Sequence, residues 1–212
     1  MYKNIRLDFN GTLIDDCDLC LDILNILTAK NNLPHVSKRQ YKEIFGFPVI
    51  NYYRTLGFDT SVDAFKEIAE TFHYNYDLRS NSEVKLFNDV VYVLEYLKTH
   101  NYKLICLSAS RIEILEKQLK FYNIYDYFDA VIGLSDKYAN SKVDVAINYI
   151  KENNINVNET LFIGDSIHDK EVADSINVDC YLVSTGHTAK HRLLKETDKV
   201  FSQLKDVLNN LK

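Results

Sequence analysis

The stretch Asp8-Phe9-Asn10-Gly11-Thr12-Leu13-Ile14-Asp15-Asp16 is the part of the chain from which a fold can be inferred first. It follows a short run in which Ile5 and Leu7 are apolar, and it passes from a carboxylate straight into Gly-Thr. This pattern predicts a β-strand that ends at Asp8, followed by a tight turn. Ligands bind at the carboxyl ends of strands in open α/β sheets, so Asp8 is a candidate functional carboxylate.

Residues 16–80 show a different pattern, with helical periodicity and no clear strand. Apolar side chains recur at the spacing of a helix, and Asn31 to Pro34 contain the signals that end the first one. Ser37 is a candidate N-cap for the second. The predicted helices cover residues 16–31, 37–44, 49–56 and 60–76.

Strands and helices alternate in the remainder of the chain. The predicted strands are 102–107, 130–132, 160–163, 180–183 and 199–201, and helices are predicted between most of them and at the C-terminus. Short links between alternating elements predict a parallel sheet covered on both faces. The simplest architecture is an α/β core of residues 1–14 and 82–212, with a helical insertion of residues 15–81. Arg6 is an exception in a central strand, and either an edge position or a carboxylate partner would explain it.

The composition argues against several classes of function. The chain has 212 residues and a formal net charge of -5, so it lacks the basic footprint of a nucleic-acid-binding protein. No apolar run reaches the roughly 18 residues that span a membrane, and the cytoplasm is the expected location. Cys17 and Cys20 lack the second ligand pair that a zinc site needs, so we expect two buried helical side chains.

The order Asp8-Phe9-Asn10-Gly11-Thr12 closely resembles the Asp-x-Asp-Gly-Thr signature of the haloacid dehalogenase superfamily of phosphohydrolases. The resemblance implies a Rossmann-like three-layer core and, as in many members, a helical cap inserted after the first strand. Three further pieces occur in the order of the family, and they are Leu107-Ser108-Ala109-Ser110, Asn140-Ser141-Lys142 and Gly164-Asp165-Ser166-Ile167-His168-Asp169. Each piece is weak alone, and their conjunction is specific. Lys142 lacks the Pro that usually follows it in the family.

The resemblance implies that Asp8 attacks phosphorus and forms an aspartyl phosphate. Ser108 then corresponds to the hydroxyl that holds a phosphoryl oxygen, and Thr12 and Ala109 belong to the same phosphate-binding group. Lys142 corresponds to the family's lysine, which neutralises the charge of phosphate and nucleophile.

The same resemblance implies a Mg²⁺ site. Asp8 and Asp165 would bind the ion together with the main-chain carbonyl of Asn10, and Asp169 would contact its waters or Lys142. Mg²⁺ prefers such oxygen ligands and keeps several waters. Without a cation, the three carboxylates would repel one another and a phosphate.

The activity implied is that of a Mg²⁺-dependent phosphatase of small phosphorylated metabolites, similar to the phosphoglycolate phosphatase group, acting as a monomer or a homodimer. Arg54 in the predicted cap is a candidate to hold a substrate carboxylate, and a solvated position is an equally good interpretation. His168 and His187 lie near the predicted edge, where a solvated loop position is favoured for His168 and nothing stronger supports His187.

Asn10 stands where the family has the Asp that protonates the leaving oxygen and later activates water. Such general acid–base help is worth about 10²–10⁴-fold in rate. Three explanations stay open: a substrate such as an acyl phosphate that needs little protonation, or another acid such as His168; a catalytically weak, phosphate-binding regulatory protein with a retained fold; or a substitution introduced to trap a complex.

Overall fold

The computed structural model describes residues 1–134 and 142–211. Within them, six strands form one parallel sheet in the order β3-β2-β1-β4-β5-β6. The strands are Asn4–Leu7 (β1), Lys103–Arg111 (β2), Ala130–Leu134 (β3), Thr160–Gly164 (β4), Asp179–Val183 (β5) and Val200–Phe201 (β6). The predicted parallel α/β fold is confirmed.

Helices follow the strands and also fill the long segment after β1. They are Cys17–Lys30 (α1), Lys38–Ile44 (α2), Val49–Thr55 (α3), Val62–Glu83 (α4), Val90–Thr99 (α5), Ile112–Phe121 (α6), Lys142–Glu152 (α7), Ile167–Ser175 (α8) and Lys190–Glu196 (α9). Short 3₁₀ helices cover Tyr125–Tyr127, Val157–Glu159 and Leu204–Asn210. No helix in the described ranges is both long and apolar enough to cross a membrane.

The sheet is buried on both faces because its strands are apolar on both sides. Ile5 and Leu7 of β1 pack into one hydrophobic cluster, which also includes residues of α1 and α5. Leu107 and Phe162 pack into a second cluster with residues of α7 and α8. With helices on both faces, the carboxyl edge of the strands is the part of the sheet that remains available for chemistry.

Helices α1–α4 form the insertion after β1, and we call them the cap. The two segments that connect the cap to the core lie side by side, because Ile14 and Leu86 form an antiparallel bridge. The amide of Asp15 donates to the carbonyl of Lys85 at 2.8 Å beside it. Ser37 caps α2, as predicted, in a reciprocal capping box with Gln40.

Four elements differ from the sequence-based prediction. Strand β2 continues to Arg111 instead of ending at residue 107. Helix α4 continues to Glu83 instead of ending near residue 76, with an Arg79–Glu83 pair in its last turns. Helix α9 was not predicted, because Leu193 and Leu194 are its only large apolar residues. The predicted C-terminal helix is a 3₁₀ helix over Leu204–Asn210.

Among the residues that the structure describes, Arg6 has neither the edge position nor the carboxylate partner that would explain it. It lies fully buried in β1, a central strand, and none of its side-chain nitrogens has a hydrogen-bond partner among the described residues. Its guanidinium lies over the ring of Tyr149, 5.4 Å from the ring centroid. Burial lowers the pKa of Arg6 to about 10, so the side chain keeps its charge and the ring provides a cation–π contact.

Candidate active site

Three predicted site residues meet at the carboxyl edge of the sheet. Asp8 follows β1, Ser108 lies in β2 and Asp165 follows β4. Because β1 pairs with β2 on one side and β4 on the other, these positions are neighbours. The amide of Asp8 continues the ladder by donating to the carbonyl of Ile163 at 2.9 Å. The register of the sheet therefore brings distant segments of the chain to one point.

Lys142, at the start of α7, provides a positive charge at this point. Its Nζ donates to Asp8 Oδ1 and, at 2.6 Å, to Asp169 Oδ1. Burial opposes the charge of Lys142, but Asp169 and Asp8 together raise its pKa above the ordinary value. The lysine is thus a fixed cation between the candidate nucleophile and a second carboxylate. Asn140 and Ser141, which precede it in the predicted motif, lie outside the described residues.

Asp169 is held rigidly by the start of α8. Its Oδ2 accepts from the Ser166 amide at 2.9 Å, the Ser166 hydroxyl at 2.7 Å and the Asp165 amide at 3.1 Å. Burial opposes its ionisation, yet Lys142 and these donors hold its pKa below the usual range. A Cβ at Gly164 would overlap the Asp169 carboxylate, so only glycine fits there.

The three carboxylates of Asp8, Asp165 and Asp169 are suited to a divalent cation. One oxygen from each lies within 4.8 Å of the others, and all three residues are buried. Burial raises the pKa of Asp165 to about 6 despite His187, and it raises that of Asp8 against the charge of Lys142. When all three are ionised, these carboxylates beside one lysine carry an excess of two negative charges, which a divalent ion bound by oxygen would balance.

The comparisons with known proteins agree with this arrangement. Residues 5–183 match the family model described as haloacid dehalogenase-like hydrolase. The chain belongs to this family. A phosphoglycolate phosphatase of Psychrobacter arcticus is 26% identical over 190 residues, covering 85% of this chain and 82% of the relative. The pyrophosphatase PpaX of Listeria monocytogenes is 25% identical over 172 residues, covering 77% and 75%.

A solved structure shows the same fold at lower sequence identity. It is a hydrolase of the haloacid dehalogenase-like family from Streptococcus pneumoniae, with a TM-score of 0.84 and 20% identity. The match covers 100% of this chain and 99% of that one. The likeness therefore includes the cap as well as the core.

Asn10, where the signature of the haloacid dehalogenase-like family has Asp, is held by hydrogen bonds at both ends of its amide. Its Nδ2 donates to Asp16 Oδ2 at 2.8 Å and to the Tyr76 hydroxyl at 2.9 Å. Its Oδ1 accepts from the hydroxyls of Ser110 at 3.1 Å and Ser108 at 3.5 Å. Nothing in this arrangement allows position 10 to give or take a proton near neutral pH.

Asp16 is the centre of a buried network that the sequence analysis missed. Its Oδ1 accepts from the Gly11 amide at 3.0 Å and faces His187 Nε2 at 3.1 Å. Its Oδ2 accepts from Asn10 and, at 2.8 Å, from the Tyr76 hydroxyl. Burial opposes its charge, but His187, Asn10 and Tyr76 hold the pKa of Asp16 below the usual range. The Asp15-Asp16 doublet was the available signal, although periodicity does not say which acid is buried.

The histidines also differ from expectation. His187 is buried, contacts Asp16, and lies 2.9 Å from the Tyr41 hydroxyl through Nδ1. Its amide donates to Asp165 Oδ2 at 2.6 Å. His168, for which a solvated loop was favoured, lies in α8 and stacks on Phe47 of the cap with ring centroids 4.5 Å apart. Both histidines therefore join the cap to the core beside the site.

The remaining predicted residues divide into two groups. Thr12 is buried with its hydroxyl 3.5 Å from Asp8 Oδ2, and Ala109 lines the cavity above Asp8. Arg54 is away from the site: its side chain is exposed, bonds to Asn51 and Thr60, and does not line that cavity. Helix α3 turns this position outwards, which fits the interpretation of Arg54 as a solvated residue, and its role in substrate binding stays a prediction.

A cavity of about 380 Å³ lies between the cap and Asp8. Its floor is the polar edge of the core, with Asp8, Ser108 and Lys142 among the residues that line it. Its roof is mainly aromatic and comes from α2, α3, α4 and the loop before α3; these residues are Tyr41, Phe45, Phe47, Tyr52, Tyr53, Phe65, Phe72 and Tyr76. The volume lies in the range of small-molecule sites.

Proposed function

We propose that the protein is a Mg²⁺-dependent phosphatase that acts on a small phosphorylated metabolite through an aspartyl phosphate on Asp8. The observation that carries this proposal is the contact of Lys142 with both Asp8 and Asp169, beside Asp165, at the floor of a small-molecule cavity. Membership of the haloacid dehalogenase-like hydrolase family and the names of its relatives support it.

Each site residue has a separate role in the proposed reaction. An Asp8 oxygen attacks phosphorus while Lys142 offsets the charge that gathers on the phosphoryl group. The Ser108 hydroxyl, held near Asn10 and the Ser110 amide, binds a phosphoryl oxygen. A bound Mg²⁺, held by Asp8, Asp165 and the Asn10 carbonyl, would supply further charge neutralisation. Water then attacks the aspartyl phosphate and regenerates Asp8.

Asn10 favours a second candidate, a catalytically weak protein that binds phosphate for regulation. In that case Asp8 accepts a phosphoryl group or the site holds phosphate, and turnover stays slow because position 10 supplies no acid or base. The two candidates share the fold and the metal site, and they differ in the rate at which product is released.

The test is release of inorganic phosphate with and without Mg²⁺, from p-nitrophenyl phosphate and a metabolite panel that includes 2-phosphoglycolate and pyrophosphate. Asp8→Asn should abolish the Mg²⁺-dependent rate, and Asp15→Asn is the matched control because Asp15 is exposed. An unchanged rate in Asp8→Asn would refute the mechanism. Binding of Mg²⁺ and a phosphate analogue without turnover of any substrate would favour the regulatory candidate.

A further inference from the structure

The roof of the cavity is chemically different from its floor. Phe65 and Phe72 of α4 line it together with Phe45 and Phe47, and two of the tyrosines there, Tyr52 and Tyr53, stack on each other with ring centroids 4.5 Å apart. Aromatic walls of this kind favour a flat apolar group through burial and ring contacts. The part of a substrate that lies beyond its phosphate would be surrounded by these rings.

The cap also provides no positive charge for an anionic substrate group. Among the described residues of the cap that line the cavity, none is Lys or Arg, and the ionisable ones include the acids Asp16 and Asp77. Burial lowers the pKa of His73, which leaves it neutral at pH 7. Arg111 reaches the cavity from β2, and its Nη2 faces Asp77 at 4.0 Å. A carboxylate in this space would lose water, gain no cation from the cap and have to share Arg111 with Asp77, which is costly.

The amide at position 10 restricts the leaving group independently of the cavity wall. Both Asn10 amide protons go to Asp16 and Tyr76, so the side chain has none to give. Without a proton from position 10, the leaving oxygen departs most easily when it is stable as an anion. A phenol has a pKa of about 10, whereas an aliphatic alcohol is closer to water at about 15.7.

Resting on the proposed function, these two observations lead to one substrate class. We propose that the natural substrate is a small aryl phosphate, in which the phosphate is esterified to an aromatic hydroxyl. Asp8 oxygen forms a bond to phosphorus, the phosphorus–aryl oxygen bond breaks, and its electron pair leaves on the phenolate. The phenolate takes a proton from bulk water. Water then adds to phosphorus, the bond to Asp8 oxygen breaks, and inorganic phosphate and one proton are released.

The second half of this reaction is the slow one. Its water receives no general base from Asn10, while the first half needs no acid when the leaving group is a phenolate. The aspartyl phosphate of Asp8 therefore accumulates with aryl substrates. Alkyl phosphates lack this behaviour, because bond cleavage to an alkoxide limits them.

The experiment compares four substrates in the wild-type protein with Mg²⁺: phenyl phosphate, benzyl phosphate, 2-phosphoglycolate and pyrophosphate. Benzyl phosphate keeps the ring and makes the leaving group an aliphatic alcohol. We expect kcat/KM for phenyl phosphate to exceed that for benzyl phosphate by about 10²-fold or more. Rapid-quench kinetics should show a burst of phenol approaching one equivalent of enzyme, and no burst of benzyl alcohol.

Variants of the roof test the ring contact. Phe72→Ala should raise KM for phenyl phosphate about tenfold and leave that for pyrophosphate unchanged. Tyr74→Ala is the matched control on the same helix, because Tyr74 is 70% exposed and does not line the cavity. Phe65→Ala provides a second roof variant should Phe72→Ala fail to fold.

The outcomes separate this inference from the proposed function. Turnover of 2-phosphoglycolate or pyrophosphate as fast as that of phenyl phosphate would overturn the aryl assignment and leave the phosphatase proposal standing. Phosphate release from none of the four, or release that Asp8→Asn does not affect, would overturn the phosphatase proposal itself.

Discussion

Replacing Asn10 by Asp would create a charge conflict with Asp16. In the native protein the Asn10 Nδ2 lies 2.8 Å from Asp16 Oδ2 as a donor, and the substitution puts a second carboxylate oxygen there. With the two carboxyl groups about 4 Å apart and an effective dielectric constant of about 20, the repulsion is about 4 kcal/mol. The variant also loses a hydrogen bond to a charged acceptor, worth about 1.5–3 kcal/mol.

Protonation limits how large the penalty becomes. The folded protein can keep one of the two carboxyl groups protonated. This costs about 1.36 kcal/mol for each pH unit above the ordinary pKa of about 3.9, which is about 4 kcal/mol at pH 7. The pKa of this protonated carboxyl group is higher in the folded than in the unfolded protein. The destabilisation therefore begins above the unfolded-state pKa and grows as the pH rises towards the folded-state pKa. We therefore expect Asn10→Asp to lose about 3–4 kcal/mol at pH 7 and no more than about 1.5 kcal/mol at pH 5.

The assay is urea unfolding of a double-mutant cycle in metal-free buffer. Asp16→Asn alone also destabilises the protein, because Tyr76 and His187 lose a charged partner. Combining it with Asn10→Asp restores one carboxylate facing one amide, so the double variant should be more stable than the sum of the single losses by at least about 2 kcal/mol. Asn158→Asp, at an exposed position, is the control and should stay within about 0.5 kcal/mol of the native protein. A coupling below about 0.5 kcal/mol would refute the reasoning.

Three further predictions concern the metal, pH and the cap. Gly164→Ala should weaken Mg²⁺ binding about 10–100-fold by calorimetry, because its Cβ displaces the Asp169 carboxylate, while Gly46→Ala, whose Cβ meets nothing within 4 Å, should bind normally. Burial opposes the charge of His187, but Asp16 raises its pKa well above 6.5. The stabilisation is thus complete below pH 6.5 and is lost as the pH rises through the folded value, so His187→Asn should lose more unfolding free energy near pH 6 than near pH 9. Arg54→Ala should keep kcat/KM within about twofold of the native value on every substrate of the panel, since the Arg54 side chain bonds to Asn51 and Thr60 on the outer face of the cap. A larger loss would mean that Arg54 contributes to substrate binding.

The sequence was sufficient to predict which segments form strands, although β2 continues to Arg111, beyond the predicted end at residue 107. Asp8, Ser108 and Asp165 each follow or close an apolar run, and the topology of parallel strands then puts them at one edge. Lys142 was found only through the resemblance to a family, because one lysine at a helix start has no periodic signal. These strands and turns were predictable because local sequence patterns determine them.

The residues that were missed depend on contacts between distant parts of the chain. Asp16 and His187 are 171 positions apart and meet only in the folded protein. His168 was expected to be solvated because nothing local predicts that Phe47 of the cap stacks on it. Arg54 is the opposite case: it lies in a segment that lines the cavity, but the orientation of the short helix α3 turns its side chain away from the cavity. Tertiary packing of the cap, which periodicity does not encode, decided each of these cases.

The Asp16 network also bears on the origin of Asn10. An amide placed in a site built for a carboxylate would have an NH₂ group without acceptors, or an oxygen that faces another acceptor. Here both ends have matched partners: the NH₂ faces Asp16 and Tyr76, and the oxygen faces Ser108 and Ser110. Asp16 accepts from this amide without the repulsion that an ionised acid at position 10 would cause. Positions 10 and 16 therefore work as a pair, which favours a protein adapted to function without a proton donor at position 10 over a substitution that traps a complex.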